Sequence, residues 1–262
     1  MSSRQSTAQD GRTLPRLVEI MQRLLAPGGC PWDREQTLES LRPYVIEEAH
    51  EVVDAIDRGD PEALCEELGD LLLQIVFQSA LSTGSGGFGV DDVVGGICDK
   101  LIRRHPHVFG DVQVEGSEQV VANWEAIKAR EKAGRGVLDG VPVALPSLLR
   151  AQRVGEKAAR VGFDWPDATG PRQKLDEELA EFDTAVAAGQ REAMEAELGD
   201  VLFSLANVAR KLGIDSEAAL RGTLGRFTER VAAVETRARE QGADLDALSS
   251  AELDALWEAA KR

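Results

Sequence analysis

Apolar residues recur every three to four positions along most of the chain, which is the period of an amphipathic α-helix. The pattern predicts helices near residues 14–26, 37–58, 61–82, 91–104, 117–133, 148–160, 171–188, 191–212, 215–241 and 250–261. No segment shows the strict alternation of apolar and polar residues that is typical of a strand. Pro61 and Pro171 follow polar residues as helix start signals, and Gly59 and Gly189 lie where tight turns are needed. The sequence therefore predicts an all-α fold.

An internal repeat divides this helical chain into two halves. The acidic segment 47–51 is matched by 177–181, the segment Glu-Leu-Gly-Asp at 67–70 is matched by 197–200, and Gly59 is matched by Gly189. All of these pairs are 130 residues apart, whereas residues 100–104 best match 226–230 at a separation of 126. The glycine-rich loop 84–89 accounts for the extra residues of the first half. We expect two tandem units, each resembling a four-helix bundle, at 14–133 and 148–262, with a loose tail at 1–13 and a linker at 134–147.

Acidic side chains of the second unit are placed to converge. Two of them lie three residues apart on one predicted helix and two more lie three apart on the next, so each pair projects from one helix face. The short turn at Gly189 makes the helices antiparallel neighbours, and Gly199 is expected to let their backbones approach closely. Apolar neighbours place the acids at the edge of a core. The four acids are Glu178, Glu181, Glu197 and Asp200, and their counterparts in the first unit are Glu48, Glu51, Glu67 and Asp70.

Carboxylates that meet in this way repel one another, and removal from water makes their ionisation costly. Either some of them stay protonated or divalent cations neutralise them, and hard oxygen ligands suit Mg²⁺ or Mn²⁺. The competing interpretation is a pair of solvated acidic helix faces, which a single such pair would favour. A di-iron bundle built from Glu-x-x-His pairs is excluded for the second unit, because no histidine follows His107.

The amino-acid composition limits the kinds of molecule that the chain can bind. The chain carries 46 acidic and 30 basic residues, a net charge of −16, which repels nucleic acid and requires a cation to mediate contact with a negative substrate. The three cysteines fall on no metal-ligand spacing and indicate reduced thiols in a cytoplasmic protein. No apolar run approaches the roughly 20 residues of a membrane span, and the N-terminus lacks a signal-peptide core. We therefore expect no nucleic-acid partner, no membrane and a cytoplasmic location.

Several motifs together resemble one family. The acidic pattern Glu-Glu-x-x-Glu followed by Glu-x-x-Asp is similar to the signature of the all-α nucleotide pyrophosphohydrolases, which include the MazG proteins. Segments 30–33 (CPWD), 103–109 (RRHPHVF), 124–128 (WEAIK) and 161–165 (VGFDW) narrow the resemblance to two-domain MazG proteins. The similarity runs from about residue 14 to the end.

The resemblance implies an activity and a set of site residues. Members of the family hydrolyse nucleoside triphosphates, with Mg²⁺, to the monophosphate and pyrophosphate, and they cleanse nucleotide pools. Their C-terminal repeat is usually assigned the activity, with metal ligands that correspond to Glu178, Glu181, Glu197 and Asp200. The corresponding nucleotide contacts are Lys174, Leu175, Asp176, Glu177, Glu178, Ala193, Met194, Glu195, Ala196, Asp200, Arg226, Arg230 and Trp257. Asp176 and Gly225 stand where other members carry an aromatic residue and a lysine.

These residues suggest a division of roles. Glu177 or Glu178 is the candidate general base, and the cationic side chains Lys174, Arg226 and Arg230 would neutralise phosphates. Trp165 or Trp257 either stacks on a base or packs in the core. Arg103 and Arg104 are either phosphate contacts or a solvated helix end, and the three histidines are structural or surface residues.

Two further expectations concern assembly and class. A helical unit with a wide apolar face often dimerises, so we expect a homodimer. The alternatives to an enzyme are a regulatory scaffold that binds magnesium nucleotide without turnover and a purely structural helical assembly.

Overall fold

The computed structural model describes residues 11–131, 134 and 136–261, and within these residues it contains helices and no strand. The α-helices are Leu14–Leu25 (α1), Pro31–Glu35 (α2), Arg42–Arg58 (α3), Pro61–Gly84 (α4), Val90–Arg104 (α5), Pro106–Phe109 (α6), Ser117–Glu131 (α7), Ser147–Ala159 (α8), Thr169–Ala188 (α9), Arg191–Lys211 (α10), Ser216–Glu240 (α11) and Ser250–Ala260 (α12). A 3₁₀ turn at Leu245–Ala247 precedes α12. The all-α prediction is confirmed.

Local differences from the predicted helices have chemical causes. The helix predicted from residue 37 begins at Arg42, because Thr37 and Ser40 form a hydrogen-bonded turn in which each hydroxyl accepts from the other's backbone N–H. Two short helices that begin at prolines, α2 and α6, lie between the predicted helices. The segment 136–146, within the predicted linker, contains turns, and residues 1–10 of the predicted tail lie outside the described residues.

The chain divides into two compact units between residues 133 and 134. In the first unit α3 and α4 form an antiparallel hairpin. Gly59 ends α3 in the left-handed conformation, with φ of 66°, and the Asp60 carboxylate caps α4 by accepting from two backbone N–H groups. Helix α1 packs on α4 over a small core of Met21, Leu41, Val76 and Phe77.

The second unit repeats this hairpin with α9 and α10, and Gly189 has a φ of 67° at the turn. Helix α8 packs against α10 and α11. The buried Gln152 amide joins them, because it donates to the Ile214 carbonyl at 2.6 Å and accepts from the Ser216 N–H at 3.3 Å. Helices α11 and α12 pack over Val234, Ala238 and Leu256.

An uncovered apolar stripe runs along the second helix of each hairpin. Its members are Leu68, Leu72 and Ile75 on α4, and Leu198, Leu202 and Leu205 on α10, all of them 39–49% exposed. The two stripes occupy the same positions of the 130-residue repeat. Each unit therefore leaves an apolar stripe exposed. None of the helices in the described part of the chain has the length and apolarity that a membrane span requires.

Candidate functional site

Three carboxylates of the second unit meet between α9 and α10. Oxygen atoms of Glu178, Glu197 and Asp200 lie within 4.8 Å of one another. The tight turn at Gly189 sets the register that brings them to one height, as the sequence predicted. Glu178 is only 5% exposed, whereas Asp200 is exposed, so the group reaches from the edge of the core to solvent. A carboxylate group that is open to solvent on one side suits a cation that must also contact a ligand.

Glu181, the fourth predicted metal ligand, lies beside this group but outside it. Its side chain is exposed, yet partial removal from water, followed by the charges of Glu178 and Glu197, raises its pKa. The negative field of the group therefore extends to Glu181. The structure brings together three of the four predicted carboxylates and places the fourth one helical turn along α9.

The first unit repeats the arrangement with Glu48 on α3 and with Glu67 and Asp70 on α4, whose oxygen atoms also lie within 4.8 Å. Glu51 takes the outer place that Glu181 takes in the second unit. Burial, and then the charge of Asp70, raises the pKa of Glu48, while burial and then the charge of Glu51 raises the pKa of Glu67. These directions are those expected of carboxylates that repel one another, with the charge of Arg58 as a smaller, opposing effect on Glu67.

One expectation about the backbone is wrong. Gly199 does not provide a close approach between helices, because a Cβ atom there would meet nothing within 4 Å, and the same holds for Gly69. The hairpin is held by its turn and by its side chains.

Lys174 is the main difference between the two groups. Its ammonium lies 2.6 Å from a Glu178 oxygen and 2.8 Å from a Glu177 oxygen, and these carboxylates raise the pKa of Lys174. The corresponding position in the first unit is Tyr44, whose ring makes an edge contact with Trp32. The second unit therefore supplies one positive charge of its own to its buried glutamate, and the first unit supplies an aromatic ring.

The other predicted nucleotide contacts flank the carboxylates on the same two helices. Leu175 is buried, so its side chain belongs to the core, while Asp176 pairs with Arg172. On α10, Ala193 and Met194 are half-buried, Ala196 is exposed, and Glu195 accepts from Arg191 at 2.6 Å.

A stacked cation and ring recurs in both units. The Arg230 guanidinium lies 5.8 Å from the centre of the Trp257 ring, and the Arg104 guanidinium lies 5.6 Å from that of Trp124. Arg104 matches Arg230 at the 126-residue separation, and Trp-Glu-Ala at 124–126 matches 257–259 at a separation of 133. Sequence reasoning missed Trp124 as a counterpart of Trp257, although the repeated tripeptide is the signal that reveals it.

The surroundings of these pairs decide between the earlier alternatives. Trp257 is half-buried, and its ring packs against Phe227 with centres 5.3 Å apart, so one tryptophan both joins the core and presents a face to Arg230. Arg226 donates to the Thr223 hydroxyl at 3.0 Å. Arg103 and Arg104 both bind Glu131 on α7, with the Arg103 side chain 56% exposed and that of Arg104 16% exposed.

A partly shielded ion cluster fixes the segment that leads into α9. Asp164 accepts from Arg210 at 2.6 and 3.2 Å and from Lys211 at 2.6 Å, and these partners hold the pKa of its carboxyl well below the usual range. The adjoining Trp165 packs so closely on Gly170 that a Cβ there would lie 2.1 Å from its ring. Trp165 therefore contributes to the packing at the start of α9, while 37% of its surface stays exposed.

Comparisons with known proteins place this arrangement in a family. The model of the MazG nucleotide pyrophosphohydrolase domain matches residues 36–109 and 170–234, which contain the two carboxylate groups. The nucleoside triphosphate pyrophosphohydrolase/pyrophosphatase MazG of Thermotoga maritima is 43% identical over 253 residues, which are 96% of each chain. The nucleoside triphosphate pyrophosphohydrolase of Escherichia coli strain K12 is 41% identical over 255 residues, 95% of this chain and 97% of the relative. An uncharacterised Bacillus subtilis protein, YabN, is 44% identical over 92% of this chain and 50% of its own length.

The fold and the paired carboxylate groups thus define a tandem-repeat member of the all-α nucleotide pyrophosphohydrolases. The chain belongs to the MazG family. The resemblance inferred from the sequence motifs is confirmed, and it places the chain among hydrolases.

Proposed function

We propose that the protein hydrolyses nucleoside triphosphates at the α-phosphorus to the monophosphate and pyrophosphate, with Mg²⁺ as its cofactor and Mn²⁺ as a substitute. The observation that carries the proposal is the group of three carboxylates, which is present once in each unit. Its negative charge exceeds the positive charge that neighbouring side chains supply. Relatives that are 41–43% identical over nearly the whole chain are named for this activity.

The donor set fits Mg²⁺. Three carboxylate oxygens within 4.8 Å supply hard ligands on one side and leave the other side open to water and phosphate. In the second unit Glu178, Glu197 and Asp200 would hold the ion, with Glu181 at the edge. In the first unit the ligands would be Glu48, Glu67 and Asp70, with Glu51 at the edge. A bound divalent cation neutralises charge on the phosphates and polarises the phosphorus–oxygen bond.

The protein's own groups would bind and orient the substrate. Lys174, Arg226 and Arg230 offset the negative charge of the phosphate chain, and the half-buried Trp257 ring accepts a base by stacking. Glu177 accepts the proton of the attacking water through a carboxylate oxygen, because it lies outside the ligand group on the same helix as Glu178. Lys174 holds that carboxylate at 2.8 Å and keeps it oriented.

We further propose that the substrates include ribonucleotides, deoxyribonucleotides and non-standard triphosphates, so that the protein cleanses nucleotide pools. The second unit would be the main catalytic one. The cysteines, none of which is in a disulfide, are typical of a cytoplasmic protein.

Product analysis with a panel of nucleotides tests this function. With Mg²⁺ we expect the monophosphate and pyrophosphate as first products, and chelation of the metal is expected to abolish turnover. Release of inorganic phosphate and a diphosphate as first products would contradict cleavage at the α-phosphorus. Binding of nucleotide without any product would instead favour a regulatory scaffold.

We also propose that the protein is a homodimer in which a second copy covers the apolar stripes. The two stripes occupy equivalent positions of the repeat, and exposed apolar surface of this kind is what the interfaces of obligate dimers cover. Charged groups are sparse along these stripes, which favours a permanent interface over a transient one.

Leu72→Glu combined with Leu202→Glu is expected to convert the dimer into single chains, because two buried charges would then lie in each copy of the interface. Light scattering should give a mass of about 57 kDa for the native protein, twice the 28.3 kDa of one chain. Val143→Glu, at a position that is 77% exposed and outside the stripes, is the control and should leave the mass unchanged. A native mass of one chain would refute the proposal.

A further inference from the structure

The buried Glu178 carboxylate already has a cation from its own helix. The Lys174 ammonium lies 2.6 Å from a Glu178 oxygen, and it also donates to a Glu177 oxygen at 2.8 Å. The Glu178 side chain is only 6% exposed, so water hardly solvates its charge, and among the described residues Lys174 is its one ion-pair partner. The carboxylate therefore depends on this lysine for the compensation that a buried charge requires.

Helix stability does not account for this contact. Lys174 precedes Glu178 by four residues, and on an isolated helix a lysine that precedes a glutamate is the weaker of the two orders. The Lys174 side chain is 38% exposed and ends a flexible four-carbon stem, so its ammonium can move away without disturbing the core. The contact therefore joins a movable cation to a fixed anion.

The same Glu178 carboxylate belongs to the group that would hold Mg²⁺. One oxygen atom each of Glu178, Glu197 and Asp200 lies within 4.8 Å of the others. A magnesium ion binds its oxygen ligands at about 2.1 Å, and an ammonium on the same carboxylate would bring two cations close together, where they repel each other. The metal and Lys174 therefore compete for one carboxylate.

The first unit provides the matched case without a lysine. Tyr44 stands four residues before Glu48, as Lys174 stands before Glu178, and its ring makes an edge contact with Trp32. In the described part of the chain, Glu48 forms no ion pair with a lysine or an arginine. A metal ion that binds Glu48 therefore displaces no lysine.

We propose that Lys174 holds the place of the metal ion at Glu178 in the metal-free protein and leaves this carboxylate when the ion binds. The inference rests on the proposed function only for the presence of a metal in the carboxylate group. Displacement leaves the ammonium with Glu177, whose side chain is 57% exposed and holds it weakly. This loosely held cation is then available to the phosphate chain, so metal binding prepares the second unit for its substrate.

Binding of Mn²⁺ alone to the full chain measures the competition. The electron paramagnetic resonance signal of free Mn²⁺ gives the amount bound. A background substitution, Asp70→Asn or Asp200→Asn, weakens the group of one unit, so that the remaining strong binding reports the other unit.

In the Asp70→Asn background, Lys174→Met is expected to lower the half-saturating Mn²⁺ concentration by about tenfold, the lower end of the effects that neighbours of metal ligands exert. In the Asp200→Asn background, Tyr44→Lys should raise that concentration by a similar factor, because the new ammonium lies one helical turn from Glu48. Arg172→Met is the matched control in the second unit. It removes a cation of α9 that pairs with Asp176 instead of the carboxylate group, and it should leave Mn²⁺ binding unchanged.

Acetylation of lysines, followed by mass spectrometry of the peptides, measures the displacement in the native chain. Saturating Mg²⁺ is expected to raise the acetylation rate of Lys174 severalfold, because the metal releases its ammonium from Glu178. Lys211 is the internal reference, since it binds Asp164 in the same unit and its rate should not change. A Lys174 rate that is the same with and without Mg²⁺ would overturn the proposal.

A higher half-saturating Mn²⁺ concentration in Lys174→Met would also overturn it, since Lys174 would then be a group that orients Glu178 for the metal. If Lys174→Met unfolds the second unit, Tyr44→Lys and the acetylation of the native chain provide the decision. A native chain that binds no Mn²⁺ would overturn both the metal group and this inference. The expected shifts in a chain that hydrolyses no triphosphate would support this inference and contradict the proposed function.

Discussion

Asp200→Asn is expected to lower the rate of triphosphate hydrolysis by about 100-fold or more. The change removes one of three ligand oxygens and one negative charge from the group that would hold Mg²⁺. A metal ion supplies several kcal/mol of charge stabilisation to a phosphate transition state, and each 1.36 kcal/mol is a factor of ten in rate. Asparagine keeps the size of the side chain, and position 200 is exposed, so the fold should persist.

Asp70→Asn is the matched control, because it makes the same change in the first unit. We expect a smaller loss of activity, since Lys174 is replaced there by Tyr44. Two measurements separate lost catalysis from lost folding. The first is the rate of pyrophosphate release at saturating nucleotide, and the second is the melting temperature with and without Mg²⁺. Undiminished activity in Asp200→Asn would move the catalytic centre away from this group, and equal losses in both variants would make both units active.

The carboxylate groups could be predicted from sequence because short-range geometry determines them. A spacing of three residues fixes a helix face, and the glycine turn between α9 and α10 fixes which residues face each other across the hairpin. The same two facts apply to α3 and α4. Glu51 and Glu181 fall outside the groups, although Glu67 and Asp70, and likewise Glu197 and Asp200, have the same spacing of three residues and both lie inside them. Residue spacing therefore does not tell which member of an acidic pair reaches the shared centre.

Long-range pairings could not be predicted in this way. Asp164 meets Arg210 across 46 residues, and Glu131 meets Arg103 across 28, and only the packing of helices decides such contacts. Trp124 is partly predictable from the sequence. Its tripeptide recurs in the second unit, but the separation changes from 130 to 126 and then to 133 residues, so a search in one register misses it.

Asp164→Asn is expected to lower the free energy of unfolding of the second unit by about 2–4 kcal/mol. The side chains of Asp164, Arg210 and Lys211 are only 19%, 11% and 15% exposed, and the substitution leaves two largely buried cations facing a neutral amide. Amide hydrogen exchange of α9 and α10, measured at increasing urea concentration, gives the loss in free energy of unfolding. Exchange of α3 and α4, in the other unit, provides the internal reference.

Glu156→Gln is the matched control, because it breaks an ion pair with Arg153 whose side chains are 37% and 54% exposed. Water already screens that pair, so its loss should cost well under 1 kcal/mol. Equal effects of the two substitutions would mean that the Asp164 cluster contributes no more than a surface pair.

The pH dependence of the Asp164 effect follows from the direction of its pKa shift. Hydrogen bonds from Arg210, and then from Lys211, hold the folded pKa below the unfolded value of about 3.9. The folded state therefore binds the proton less readily, so the stabilisation is fully present above roughly pH 4 and is lost as the pH falls through the lower folded value. The difference in stability between native protein and Asp164→Asn should be constant near neutrality and shrink below about pH 4. A difference that instead grew on acidification would show that the substitution acts through packing around Trp165 rather than through charge.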